Sequence, residues 1–318
     1  MWSFLTTFIP RAIMQAMPLL YGSTGEILTE KSGNLNLGIP GIMFIGAISG
    51  VAGAFIYEHS VGTAQINGFI AILIPLLCCL IGSFLMGLLY CFLTVTLRAN
   101  QNVTGLSMTI FGTGIAQFLG GSLIKLTDAQ ASGVASITIT GTVGYFSDGN
   151  VPGWLGYTAI VVAILVALFL KYSRTGLQLR AVGENPATAD AAGINVTRYK
   201  YLATIVGSMI AGLGGLCFVM ECAHGTWSEP KIDQIGWLAI ALVIFTTWRP
   251  AISIPASIMF GGLLILSEHL NPLMGMKELY KLIPYVVTLL VLIFVSLRKK
   301  RENQPPQSLG LAYFREER

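Results

Sequence analysis

The chain has 318 residues, of which 54% are apolar and 11% charged, with a formal net charge of +4. An average soluble domain carries roughly 25% charged residues, so a water-facing surface cannot be built from this composition. So small a charge gives no electrostatic case for nucleic-acid binding, and the five cysteines, set in or beside apolar stretches without a CxxC pair or matching histidines, read as packing residues.

Crossing roughly 30 Å of hydrocarbon takes about 20 apolar residues. Runs of this kind, separated by charges, prolines and glycines, fall at 9–28, 36–55, 67–97, 101–123, 154–171, 199–220, 235–248, 250–267 and 282–297. The pattern predicts an all-α fold, a polytopic transmembrane bundle of about nine helices (about 8–10), filling residues 1–298 and followed by a polar tail at 299–318. Arg11 lies inside the first run and no small-residue cleavage site follows, which predicts a retained helix rather than a removed signal peptide. The third run would be about 46 Å long at 1.5 Å per residue, and is therefore tilted, extended beyond the bilayer, or broken near Pro75. The seventh is short and flanked by Pro250.

Basic residues set the orientation, because cytoplasmic loops retain them. Lys171, Arg174, Arg180, Arg198 and Lys200 fill one loop, and Arg298, Lys299, Lys300 and Arg301 open the tail. Both segments are predicted to be cytoplasmic, in what reads as a multi-pass protein of a bacterial-type plasma membrane. Lys31, Arg98 and Arg249 fall on the same side, while Glu58, Asp128, Asp148, Glu221, Glu229, Asp233, Glu268 and Glu278 fall opposite. Nine crossings put the N-terminus outside, and Arg11 pulls the other way.

Small residues recur four apart at Gly46 and Gly50, at Gly112, Ala116 and Gly120, and at Gly207, Ala211 and Gly215. This spacing lets helix backbones approach closely in lipid, and helix packing explains it without a role in a substrate path. The middles of the runs carry uncharged polar groups only, Gln15, Ser107, Thr109, Thr113, Gln117, Thr204 and Ser208. A transporter driven by protons or sodium usually holds an ionisable residue there, so a stand-alone ion-coupled secondary transporter is the weaker alternative. A membrane-embedded enzyme has no acid, base, nucleophile or metal cluster to work with. The sequence also lacks a GxxxxGK[ST] loop, so any ATPase driving transport belongs to a separate chain.

The loop at about 172–198 contains Gly183-Glu184-Asn185-Pro186-Ala187-Thr188-Ala189-Asp190-Ala191-Ala192-Gly193. Asn185 suits an N-cap, Pro186 the first helical position and Gly193 the residue after the last turn, which predicts a two-turn helix outside the membrane. So short a helix is marginal in water and must be held by packing, on a partner or on its own bundle.

Leu179 to Pro186, followed by Ala191-Ala192-Gly193-Ile194, resembles the coupling-helix region of ABC-importer permeases of the branched-chain amino acid, ribose and nucleoside family. Thr29 to Gly41 is similar to the segment entering the second helix in the simple-sugar and nucleoside branch, with Pro40 standing where that branch commonly has an acidic residue. Leu97 to Leu106 resembles the smaller of two paralogous permeases in nucleoside importers. The resemblance spans roughly residues 10–298 and implies a nucleoside permease that pairs with a second permease. It further implies two cytoplasmic ATPase subunits, with ATP and Mg bound there and no cofactor in this chain, and an extracytoplasmic substrate-binding lipoprotein. Arg180, Glu184, Asn185, Pro186, Ala189 and Gly193 would then couple to the ATPase. Asn34, Asn36, Asn102, Ser107 and Gln117 are the candidates for the translocation path.

Overall fold

The computed structural model describes residues 2–61, 66–126, 152–227, 229–269 and 304–314, with a few isolated positions between 282 and 293. Its described part is an all-α bundle of ten helices: α1 (Trp2–Glu30), α2 (Ile39–Val61), α3 (Gly68–Cys91), α4 (Gln101–Leu126), α5 (Trp154–Tyr172), α6 (Arg174–Glu184), α7 (Pro186–Ala191), α8 (Val196–Cys217), α9 (Glu229–Phe245) and α10 (Pro250–His269). Eight of the nine apolar runs coincide with α1–α5 and α8–α10. The ninth, 282–297, lies outside the described residues apart from those isolated positions. By length and apolarity, α2, α3, α4, α5 and α8 are each sufficient to cross a membrane, while α9 and α10 contain shorter apolar stretches.

The long third run is one continuous helix. Asn67 caps its start by accepting the Phe69 N–H at 3.0 Å, and Pro75 sits inside without ending it. A π-helical turn, Phe92–Thr96, carries it on to Arg98, whose φ of 57° closes the segment.

A helix that is apolar all round has to be buried. In the most apolar window of α2, 83% of residues are buried within the chain, against 28% for α3. The centre of the bundle is accordingly α2 flanked by α3, α4, α8 and α9, with α1 packed on α8, α10, α9 and α5. Small residues make the crossings possible. A Cβ added at Gly207 would lie 2.3 Å from Thr29 Oγ1 and 2.5 Å from the Gly25 carbonyl oxygen, and one at Gly215 would lie 2.0 Å from the Met43 carbonyl oxygen. Gly46 meets Gly212, and Gly112 meets Gly41, with equally little room. The four-residue spacing is therefore used for helix packing. Pro40 packs against Gly236 of α9, at 2.6 Å from where a Cβ there would sit. All five cysteines are free, and Cys79, Cys91 and Cys217 are buried in the core.

At the end of the bundle away from the basic loop, a second π turn, Phe218–Cys222, extends α8 and places Glu221 in the interior. Its carboxyl accepts the Gly153 N–H at 3.1 Å and the Gly156 N–H at 3.0 Å, satisfying the start of α5, whose own N-cap, Gly153, has no side chain to do so. Glu221→Ala leaves those N–H groups without an acceptor. The expected cost is about 1–3 kcal/mol, read as a lowered thermal midpoint of the purified protein, with Glu221→Gln recovering part of it.

Candidate translocation and coupling site

Ser173 ends α5 and caps α6, its hydroxyl accepting the Gly176 N–H at 2.8 Å. The inward face of α6 is Gly176, Leu179, Val182 and Gly183. Asn185 then caps α7, accepting the Thr188 N–H at 3.0 Å, with Pro186 in the first turn. Gly193, at φ 82°, takes the left-handed conformation that ends it, and Ile194 N–H closes the turn on the Ala189 carbonyl at 3.0 Å. Ala189 is buried against Val182 and Val196. One face of α7 is thus held by its own chain, while Ala187, Thr188 and Ala191 are exposed.

Residues 304–314 run across this end of the bundle and tie its parts together. The Ser308 N–H and hydroxyl both donate to the Gly183 carbonyl, at 3.1 and 2.6 Å, and the Gly310 N–H donates to the Gly33 carbonyl at 3.2 Å. The Tyr313 hydroxyl donates to Asp190 Oδ2 at 2.8 Å, and Arg98 lies 4.7 Å from the centre of the Phe314 ring. Gly183 has to be glycine, because a Cβ there would lie 2.3 Å from the Lys31 carbonyl oxygen. Lys31, Arg180, Glu184 and Pro306 share a cavity of about 340 Å³. Burial pushes the Lys31 ammonium down from its ordinary value, with Glu184 opposing and Arg180 and Arg249 adding to the shift. Arg180 Nε is buried without a hydrogen-bond partner among the described residues, and Glu184 is exposed.

Between α1 and α2 the backbone is irregular and closed off from solvent, so every polar group needs a partner within the protein. The Asn36 N–H donates to Glu26 Oε1 at 3.1 Å, and the Asn36 side chain accepts the Gly38 N–H at 2.9 Å. The Asn34 amide donates to Thr204 on α8 at 3.0 Å, the Leu35 N–H to Gln101 at 2.7 Å, and the Thr109 hydroxyl to the Leu37 carbonyl at 2.9 Å. Beside them the Trp248 indole N–H donates to Glu30. Glu26, Glu30, Asn34 and Asn36 are all buried.

The remaining candidates lie elsewhere. Asn102, Ser107 and Gln117 stand on the exposed side of α4 among Val103, Leu106, Ile110, Phe111 and Phe118, and nothing lies within 4 Å of a Cβ built at Gly114. Asn102 to Gln117 spans about 22 Å along the axis. The structure therefore separates the five path candidates into a closed corner and an open helix face, and gathers the six coupling candidates on α6, α7 and the turn after it. Reading the sequence missed α6, although the Ser173 cap followed by Leu179 and Val182 was a signal for it. It also missed the docking of the tail, for which the closely set Leu309, Leu311, Tyr313 and Phe314 were the cue. Glu30 and Trp248 are 218 positions apart, and no local signal joins them.

A bundle of helices long and apolar enough to cross a membrane, with buried polar corners and a capped helix at one end, defines a polytopic membrane protein. Residues 8–292 match the sequence model of the branched-chain amino acid transport system / permease component family, and the chain belongs to that family. It is 30% identical to the nucleoside ABC transporter permease protein NupC of Lactococcus lactis, over 91% of this chain and 92% of that one. It is 27% identical to the guanosine ABC transporter permease protein NupQ of Bacillus subtilis, over 99% and 98%. Identity is likewise 27%, over 99% of each chain, to TsgC13 of Haloferax volcanii, a provisionally assigned glucose ABC transporter permease protein.

Proposed function

We propose that this chain is one permease subunit of an ATP-driven importer of nucleosides. It forms the translocation path with a second permease through the exposed face of α4. Cytoplasmic ATPase subunits drive it, and an extracytoplasmic lipoprotein delivers substrate. The 171–200 loop and the tail after residue 298 lie on the cytoplasmic side, as their lysines and arginines require.

The observation that carries this reading is α7, a capped helix anchored on one face by Ala189 and open on the other, at the end of the bundle that collects the basic residues. Two relatives matched over more than nine-tenths of the chain are named for nucleosides, against one named for glucose, and support nucleosides. An α4 face that mixes Asn102, Ser107 and Gln117 with aromatic rings also suits a neutral, partly aromatic solute.

The test is uptake of a radiolabelled nucleoside into liposomes holding the complete complex, with ATP inside or absent and ion gradients clamped. Uptake is expected only with ATP, and unlabelled nucleoside is expected to compete where glucose does not. Uptake that follows an ion gradient without ATP overturns the ATP-driven reading, and competition by glucose alone overturns the substrate.

A further inference from the structure

A cavity of about 770 Å³, sharing no lining residue with the Lys31 cavity, opens where α3 ends and α8 begins. Its walls come from three separate segments: the π turn and Arg98 after α3, the stretch from Asp190 into α8, and Tyr313 of the tail. Among the described residues, three cationic side chains, Arg98, Arg198 and Lys200, line it against one carboxylate, Asp190, which already accepts the Tyr313 hydroxyl.

Lys200 is the unusual member. It is only 3% exposed, yet among the described residues it makes no hydrogen bond or ion pair. An ammonium left with so little contact with water and no partner is costly to keep charged, and proteins pair such groups or bind something against them. Among the described residues, the charged side chains sharing its cavity are two further cations and Asp190, so an anion would complete the set.

The chemistry narrows the anion. Two guanidinium groups present forked donors suited to the oxygens of phosphate, and a lysine adds a compact point charge. The cavity is much larger than a carboxylate needs. It also sits at the basic end of the bundle, where α3 ends and α8 begins, the end that an anionic lipid headgroup would meet. We propose that this cavity binds a phosphate group, held by Lys200, Arg98 and Arg198. The two sources of that chemistry are the phosphodiester of an anionic phospholipid and a soluble phosphate. A bound phosphate would join the end of α3, the loop after α7 and the tail. The proposal does not depend on what the permease transports.

The test uses the full chain purified in neutral detergent. Two probes are titrated, a fluorescent phosphatidylglycerol, with the matching phosphatidylcholine as reference, and radiolabelled inorganic phosphate. Saturable binding of one probe is expected, phosphatidylglycerol marking a lipid site and inorganic phosphate a soluble-ligand site. Lys200→Met and Arg198→Gln are each expected to weaken it at least tenfold, and Arg174→Gln, an exposed basic residue outside the cavity, to leave it within twofold. Because Arg198 is exposed, its variant tests the site even if Lys200→Met fails to fold. Absence of saturable binding by either probe overturns the proposal. So does equal binding of phosphatidylcholine, or affinity within twofold of the parent in Arg198→Gln.

Discussion

Ala187→Trp is expected to leave the permease inserted, folded and assembled while lowering ATP-driven uptake at least tenfold. Ala187 is exposed on α7, so the indole displaces nothing within the chain. The Asn185 cap, Pro186 and the buried Ala189 are untouched, and the helix keeps its place. What changes is the outward surface. Ala187, Thr188 and Ala191 are small, and small side chains suit a helix that inserts into a groove. A tenfold loss corresponds to about 1.4 kcal/mol, within the roughly 1–3 kcal/mol that overpacking costs where atoms are already in contact. Uptake, ATP hydrolysis and subunit stoichiometry are measured together in liposomes, so that failed assembly is distinguished from failed coupling. Glu184→Lys combined with Pro186→Gly attacks the same element through charge and preorganisation and should act in the same direction. Uptake within twofold of the parent in both variants would remove α7 from the coupling role.

The second large effect concerns the bundle itself. Gly207→Val is expected to cost at least about 3 kcal/mol, because the backbone of α1 leaves no room for the added atoms. The nearest of these are the Gly25 carbonyl and the Thr29 hydroxyl, which itself donates to that carbonyl at 3.2 Å. Helix backbone cannot yield as a flexible side chain does, so α1 and α8 must separate along their crossing. The thermal midpoint is expected to fall by roughly 6 °C or somewhat less, the low end of the scaling for domains of 150–250 residues, with loss of monodisperse protein in detergent. Gly114→Ala is the control, on the open side of α4 where a Cβ meets nothing, and should leave the midpoint unchanged or slightly raised. A parent-like midpoint for Gly207→Val would mean that α1 and α8 do not cross as described.

These two sites also mark what the sequence makes legible. The signals for α7 are local: a cap, a proline and a glycine within nine residues, and the helix stands where they put it. The glycine spacing on α8 told of close packing but not of its partner. That Gly207 meets α1 and Gly215 meets α2 depends on three-dimensional order, which a period of four cannot encode. The path candidates divide for the same reason. Residue type marked Asn34, Asn36, Asn102, Ser107 and Gln117 as polar groups near membrane depth, but not which would be enclosed. Asn34 and Asn36 are enclosed where the chain between α1 and α2 is not helical: the Asn36 side chain accepts the free Gly38 N–H and its own N–H finds Glu26, while the Asn34 amide reaches across to Thr204 on α8. On α4 the backbone is satisfied within the helix, and the side chains at 102, 107 and 117 are left facing out.

The bonds made by residues 304–314 bear on the order in which the protein matures. Those residues leave the ribosome after every described helix, yet they reach back to Gly33, Gly183 and Asp190, synthesised well over a hundred positions earlier. Insertion of the spans can therefore run ahead, while the surface around α7 waits for its final bonds. A nascent chain would sit in the bilayer with that surface unfinished, α7 still lacking the Tyr313 contact to Asp190. The surface around α7 is thereby completed only once residues 304–314 are made, by a segment that carries no span of its own.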